Sequence, residues 1–201
     1  MNRLLWILLA LGLHACSSSS ADRDEGSADL PAAADASSTA ADEGSGTPVE
    51  RLEIETLTFE VEITAPVARV WETMLDPEGY TTWTAPFTPG STFEGSWQEG
   101  ERMLFLGPGN SGMVAEIAAN RRHELLSIRH LGFYLDGVEE IDSDAVKSWA
   151  PAYETYRFAP TANGTRVTVE HEVIAAYSGM MESVWPRALD ELRKLCEEPG
   201  S

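Results

Sequence analysis

Along residues 51–63 apolar positions (Leu52, Ile54, Leu57, Phe59, Val61, Ile63) alternate with polar ones (Glu53, Glu55, Thr58, Glu60, Glu62). A period of two marks a strand with one buried face, and the slip of register at Thr56-Leu57 predicts a β-bulge. The period then changes. Val67, Val70, Trp71 and Met74 recur at helical spacing after Ala65-Pro66, whose proline sits in the first turn where no amide donor is missed; Asp76-Pro77 ends that helix. Short strand-like runs follow at 91–98, 102–106, 113–119 and 124–135, separated by turn residues. Residues 136–151 show no period and predict an irregular connection. The runs 153–159 and 165–175 flank Asn163-Gly164, a hairpin signal. Residues 177–198 place Met181, Trp185, Ala188, Leu189, Leu192 and Leu195 on one helical face, and Pro186 predicts a kink or a division of that helix. A strand, a helix, a series of strands and a terminal helix make an α+β fold with an antiparallel sheet.

The region before this pattern is of another kind. Met1-Asn2-Arg3 is followed by an apolar run from Leu4 to Leu13. As a helix that run rises about 15 Å, half a bilayer core, which suits a secretory signal and not a membrane span. Leu13-His14-Ala15-Cys16 resembles the bacterial lipobox, although His14 stands where a small residue is usual. The resemblance implies cleavage before Cys16 and acylation of its thiol, with stable anchoring by two or more acyl chains. An ordinary cleaved signal with an incidental cysteine is the alternative. In a Gram-negative host, Ser17 after the cysteine implies the outer membrane, facing the periplasm. Residues 16–50 are rich in Ser, Ala, Asp, Glu and Gly, with no aromatic residue, and predict a disordered tether of roughly 30 Å r.m.s.. The division is therefore 1–15 signal, 16–50 tether and 51–201 folded domain. Cys16 and Cys196 are the only cysteines, so no disulfide framework is expected.

The formal net charge is −19, and most of it remains on the domain. A surface of that sign repels phosphate backbones and anionic headgroups, which argues against a nucleic-acid partner. Its simplest role is solubility.

Ordered landmarks carry a family resemblance. They are Ala65-Pro66 before Val70-Trp71, Trp83-Thr84, Gly90-Ser91, Trp97 with Gly100, and Ser127-Ile128-Arg129-His130-Leu131-Gly132. Glu154 with Tyr156, Gly164-Thr165 before Val167 and Val169, and Trp185-Pro186 before Leu189, Leu192 and Leu195 complete the set. Together, over residues 52–197, they resemble the SRPBCC (START-like, Bet v 1-like) superfamily, in the branch named for the activator of Hsp90 ATPase. The resemblance implies a helix-grip fold, in which a curved seven-stranded antiparallel sheet wraps a long C-terminal helix around an apolar cavity. It carries over no catalytic residue, cofactor or metal.

Alternation tells which residues face such a cavity. Placing Ser127, Arg129, Arg157, Arg166 and Glu170 in solvent turns Ile128, His130, Glu154, Tyr156, Val169 and His171 inward. Counting back from Asn163-Gly164 sets Tyr156 near His171. His130, Glu154, Tyr156 and His171 then form a polar group roofed by Met181 and Trp185, with Phe93, Trp97, Met113 and Ile117 lining the rest. His123, beside Arg121 and Arg122, reads as a solvated turn residue. The polar group has three readings: side chains satisfying one another, side chains orienting a polar group of an apolar ligand, or acid–base chemistry of the cyclase or dehydratase kind. Its spacing matches no metal motif. The functions that follow are a lipoprotein module binding a small apolar or lipid-like molecule, a polyketide cyclase- or dehydratase-like enzyme, and a co-chaperone-like interaction domain. Export weighs against the last, because Hsp90 is cytosolic. A cavity above about 300 Å³ favours ligand binding, and a filled one favours interaction or scaffold.

Overall fold

The computed structural model describes residues 49–198. The signal segment, the lipobox at Cys16 and nearly all of the tether lie outside the described residues. The chain runs β1 (Ile54–Ile63), α1 (Val67–Leu75), α2 (Pro77–Trp83), β2 (Thr92–Gly95), β3 (Arg102–Gly107), β4 (Ser111–Arg121), β5 (Leu125–Leu135), β6 (Val138–Glu140), α3 (Asp144–Lys147), β7 (Ala152–Pro160), β8 (Thr165–Ile174), a 3₁₀ turn (Ala175–Tyr177) and α4 (Ser178–Glu197). The sheet is antiparallel in the order β1-β8-β7-β5-β4-β3-β2, and β6 added beside β5 makes it eight-stranded, one strand more than expected. α4 lies against β1, α1 and α2, which gives the helix-grip arrangement.

The helices follow the sequence pattern with one addition. α1 buries Val70, Trp71 and Met74, the face read from the periodicity. Asp76-Pro77, expected only as a stop, also starts α2: the Asp76 carboxylate accepts from the amides of Glu78 (3.0 Å) and Gly79 (3.1 Å), with proline in the first turn. α2 in turn buries Tyr80 and Trp83, and Trp83 Nε1 donates to the Met74 carbonyl at 3.1 Å. α4 is continuous through Pro186, so the expected division does not occur. Pro186 and Glu182, whose carbonyl loses its helical donor, are both exposed, so water can replace the missing bond. At the end of α4, Arg69 donates to the carbonyls of Cys196 (2.7 Å) and Glu198 (2.9 Å), and the Cys196 thiol is buried and free.

Two strand features and one turn residue differ from expectation. β1 pairs with β8 in unbroken register from Ile54↔Ile174 to Ile63↔Thr165, so there is no bulge at Thr56-Leu57. The parity change divides the strand instead: Leu57, Phe59 and Val61 pack on the main core, while Ile54 packs on a second cluster of Phe133, Val146, Trp149 and Ala152. Residues 136–151 are not irregular throughout. Asp136 and Gly137 have φ of 51° and 86°, forming the two-residue turn between β5 and β6. Gly132 lets β6 close in, since a Cβ there would lie 2.1 Å from the Glu140 carbonyl oxygen. His123 also has a positive φ of 67° and is half-buried, its ring edge-on to Trp71 at 6.0 Å, so it is not simply solvated. Among the described residues no helix is long and apolar enough to cross a membrane.

Candidate functional site

A cavity of about 180 Å³ lies between the sheet and the helices α2 and α4. It is neither filled nor as large as 300 Å³, so it limits any occupant to a small molecule. Its walls are largely aromatic and aliphatic. Met113, Ile128, His130, Glu154, Tyr156 and His171 line it from the sheet, Met181 and Trp185 from α4, and Trp97 from just beyond β2, which ends at Gly95 and not at Gln98. Phe93 does not: it stands behind the wall, edge-on to Tyr80 (5.1 Å) and Trp97 (4.9 Å). Ile117 is fully buried behind it as well. The wall from Tyr80, Trp83 and Phe87 was missed because it depends on α2. Asp76 followed by Pro77, a cap residue before a first-turn proline, was the signal for it.

The strand register assembles the polar group. Glu154 pairs with His171 across β7 and β8, so Tyr156, opposite Val169, is diagonal to His171. On the other side Glu154 pairs with Ile128, and His130 pairs with Ala152. Between Val114↔Gly132 and Ala115↔His130 the β5 strand gains one residue, Leu131. This bulge lets both His130 and Phe133 reach the cavity, although they are three apart in sequence.

Glu154 is the centre of the group. Tyr156 donates its hydroxyl proton to Glu154 Oε1. His171 Nε2 lies 3.6 Å and His130 Nε2 3.8 Å from Glu154 Oε2. Burial pushes the Glu154 carboxyl up, but His130, His171 and the Tyr156 hydroxyl outweigh it and hold it at about 2. Trp185 Nε1 donates to His171 Nδ1 at 2.9 Å, so that nitrogen carries a lone pair and the proton of the neutral ring is on Nε2, toward Glu154. Burial pushes the His171 pKa down, in agreement with this tautomer; Glu154 opposes the shift and His130 adds to it. Burial also pushes the Tyr156 hydroxyl far up, reinforced by the charge of Glu154 and the bond to it.

The polar atoms of Tyr156 and His171 are thus committed to protein partners. Two others are not. Among the described residues, His130 Nδ1 and Trp97 Nε1 are buried without a hydrogen-bond partner, and both side chains line the cavity. Phe105 lies between them, its ring 5.9 Å from Trp97 and 6.0 Å from His130. No group of three or more His, Cys, Asp or Glu among the described residues is arranged to hold a metal ion.

Comparison with known proteins agrees with the geometry. Residues 64–197 match the family described as activator of Hsp90 ATPase homolog 1-like protein. A crystal structure of a Mesorhizobium loti protein is similar at 17% identity and a TM-score of 0.56, over 73% of this chain and 100% of that one. A solution structure of an Arthrobacter aurescens protein is similar at 21% identity and a TM-score of 0.57, over 73% and 88%. A Chromobacterium violaceum protein is similar at 20% identity and a TM-score of 0.52, over 72% and 98%. No curated protein matches. With its eight-stranded sheet gripping a long terminal helix and the family match over residues 64–197, the chain belongs to the activator of Hsp90 ATPase homolog 1-like family and has the helix-grip SRPBCC fold.

Proposed function

We propose that this domain binds a small apolar molecule in the cavity beneath α4. The observation that carries the reading is the cavity itself: about 180 Å³ of space walled by aromatic and aliphatic side chains, with its polar atoms confined to a few positions. Apolar cavities of about 150 Å³ stay dry and take up benzene-sized ligands, so this one suits a single ring with a short alkyl tail. Members of the superfamily generally bind small hydrophobic ligands, which supports the same reading. The cyclase or dehydratase alternative has less support. The Tyr156 proton points at Glu154 and the His171 Nδ1 lone pair at Trp185, so neither is presented to a substrate without rearrangement. Titration with propylbenzene tests the binding reading. The expected result is saturable one-to-one binding by calorimetry, with chemical-shift changes at Ile128 and Met181. An absence of saturable binding overturns it.

We further propose that the domain is displayed from a membrane by an acylated Cys16, with residues 17–50 as spacer. The lipobox-like Leu13-His14-Ala15-Cys16 supports this. A membrane-displayed module also lacks access to a cytosolic ATP-using chaperone, which weighs against the co-chaperone reading. Cys16→Ser is expected to move the full-length protein from the membrane fraction to the soluble fraction. Unchanged fractionation, or no incorporation of labelled palmitate by the wild type, contradicts the anchor.

A further inference from the structure

We propose that the ligand of this cavity is a small apolar molecule ending in a protonated amine, and that its ammonium group pairs with Oε2 of Glu154. The proposal rests on the binding role of the cavity and names the class of molecule it takes. Glu154 lines the cavity and keeps 16% of its side-chain surface open. Its two oxygens differ. Oε1 accepts the Tyr156 hydroxyl. The donors beside Oε2, the Nε2 atoms of His171 and His130, stand at 3.6 and 3.8 Å, beyond hydrogen-bond reach. Nor is Oε2 sealed in: among the described residues, the buried side-chain atoms without a partner are nitrogens of Trp97, Arg129 and His130. An oxygen that accepts no bond and is not sealed has open surface, and on a side chain that lines the cavity that surface is free for a donor brought by a ligand.

That oxygen belongs to a charged group, because the Glu154 carboxyl is held at about 2. Among the described residues no lysine or arginine lines the cavity, whereas Glu154 and Glu172 both do. A carboxylate in an apolar space is costly unless a cation stands against it, and an ammonium supplies that cation. The aromatic lining acts in the same direction. Tyr156 is bonded to the carboxylate itself, the Phe105 ring lies 6.0 Å from that of His130, and the Trp185 ring lies 5.7 Å from that of His171. Aromatic faces attract an ammonium through the ring quadrupole. Other head groups fare worse. An ionised carboxylate meets the charge of Glu154 in a low-dielectric site, and the two repel. A hydroxyl can donate to Oε2 but brings no charge, and a hydrocarbon leaves Oε2 as it is. The acidic domain as a whole draws cations and repels anions on approach.

The test uses a size-matched series on the wild-type protein at pH 7.5: propylbenzene, 2-phenylethanol, 2-phenylethylamine and 3-phenylpropionate, with affinities measured by calorimetry. An aliphatic amine is charged at that pH, as lysine is. The amine is expected to bind about tenfold more tightly than the hydrocarbon and the alcohol, the low end of what a hydrogen bond to a charged group contributes. The propionate is expected to bind at least about tenfold more weakly than the amine. Binding of the amine should shift the NMR signals of Ile128 and Met181, which line the cavity. Glu154→Gln keeps the shape and an acceptor for Tyr156 but removes the charge, so it should erase the advantage of the amine while propylbenzene still binds. An amine that binds no more tightly than propylbenzene or the alcohol overturns the proposal and leaves the cavity reading intact; a water that serves Oε2 as well as a ligand does would give this result. Propionate binding as tight as amine overturns it too. Amine binding that survives Glu154→Gln, or leaves Ile128 and Met181 unshifted, overturns the assignment to Oε2 and points to the acidic surface. Failure of all four molecules overturns the cavity reading and this proposal together. The wild-type series decides the matter even if the variant fails to fold.

Discussion

Trp185→Ala is expected to destabilise the domain by about 3–5 kcal/mol, the usual range for removing a buried large aromatic side chain. Trp185 is 1% exposed and sits where the helix meets both walls of the cavity. It stacks on Phe59 at 5.5 Å, meets Phe87 edge-on at 4.9 Å, and lies 6.3 Å from Trp83 and 6.1 Å from Tyr156. Alanine removes those contacts and also strands His171 Nδ1, whose donor is the indole N–H. Trp185→Phe separates the two effects. It keeps most of the packing and loses only the donor, for an expected cost of about 1–3 kcal/mol. With Nδ1 released, His171 can hold a second proton, so its pKa should rise relative to the wild type. Urea denaturation gives the stabilities, and an NMR titration of the imidazole gives the shift. A His171 that titrates identically in Trp185→Phe and wild type would contradict the assigned tautomer.

The same residues show how far the sequence reaches. Alternation in the runs 153–159 and 165–175 turns Glu154, Tyr156 and His171 inward, and the structure places them there, because a half-buried sheet enforces a period of two. Helical spacing likewise sets Met181 and Trp185 over them. What alternation does not supply is direction within the cavity. Whether Tyr156 aims its proton at Glu154 or into open space depends on rotamers and on strand register to a single residue. The Leu131 bulge changes parity just beyond His130, and the isolated Gly132 inside that strand run was the one sign of it. The two cavity-lining side chains with an unpartnered nitrogen, His130 at Nδ1 and Trp97 at Nε1, are defined by what fails to reach them, and a one-dimensional pattern cannot register that. Two other omissions were legible. Asp136-Gly137 is a strong short hairpin signal, and Asp76-Pro77 is a helix start as well as a stop. Reading the first as part of an irregular connection cost the β6 strand. Reading the second only as a terminator cost the α2 wall. The bulge expected at Thr56-Leu57 failed for a different reason: β1 serves two hydrophobic clusters, so its apolar residues change parity without any change of register.

Acid should weaken the fold in a way that Glu154→Gln partly cures. In the folded protein the Glu154 carboxyl is held at about 2, whereas an unfolded glutamate titrates near 4.3. As pH falls through that interval the unfolded chain takes up the proton first, so folding loses stability. The contribution is whole above about pH 4.3, declines as pH approaches 2, and amounts to about 3 kcal/mol for the gap between the two values. Glutamine can still accept the Tyr156 hydroxyl, but it carries no titrating proton, so this limb of the pH curve should be absent from the variant. His171 acts with the same sign nearer neutrality. Its folded pKa lies below the ordinary value, so its contribution is present above about 6.5 and is lost as pH falls through its lowered folded value. Glu154→Gln also removes the charge that favours protonated His171, which should push that pKa lower still. Tyr156 sets the opposite limb. Its hydroxyl is raised in the fold, so the unfolded tyrosine ionises first, and stability falls above about pH 10. Denaturant melts of wild type and Glu154→Gln at half-unit intervals from pH 2 to 8 check the argument. The stability of wild type minus that of the variant should fall by about 3 kcal/mol as pH drops from 5 to below 2, whichever is higher at pH 7. Curves that run parallel through that window would show that the cavity carboxylate titrates alike in the folded and unfolded chains, and that its imidazole and phenol neighbours do not hold its charge in place.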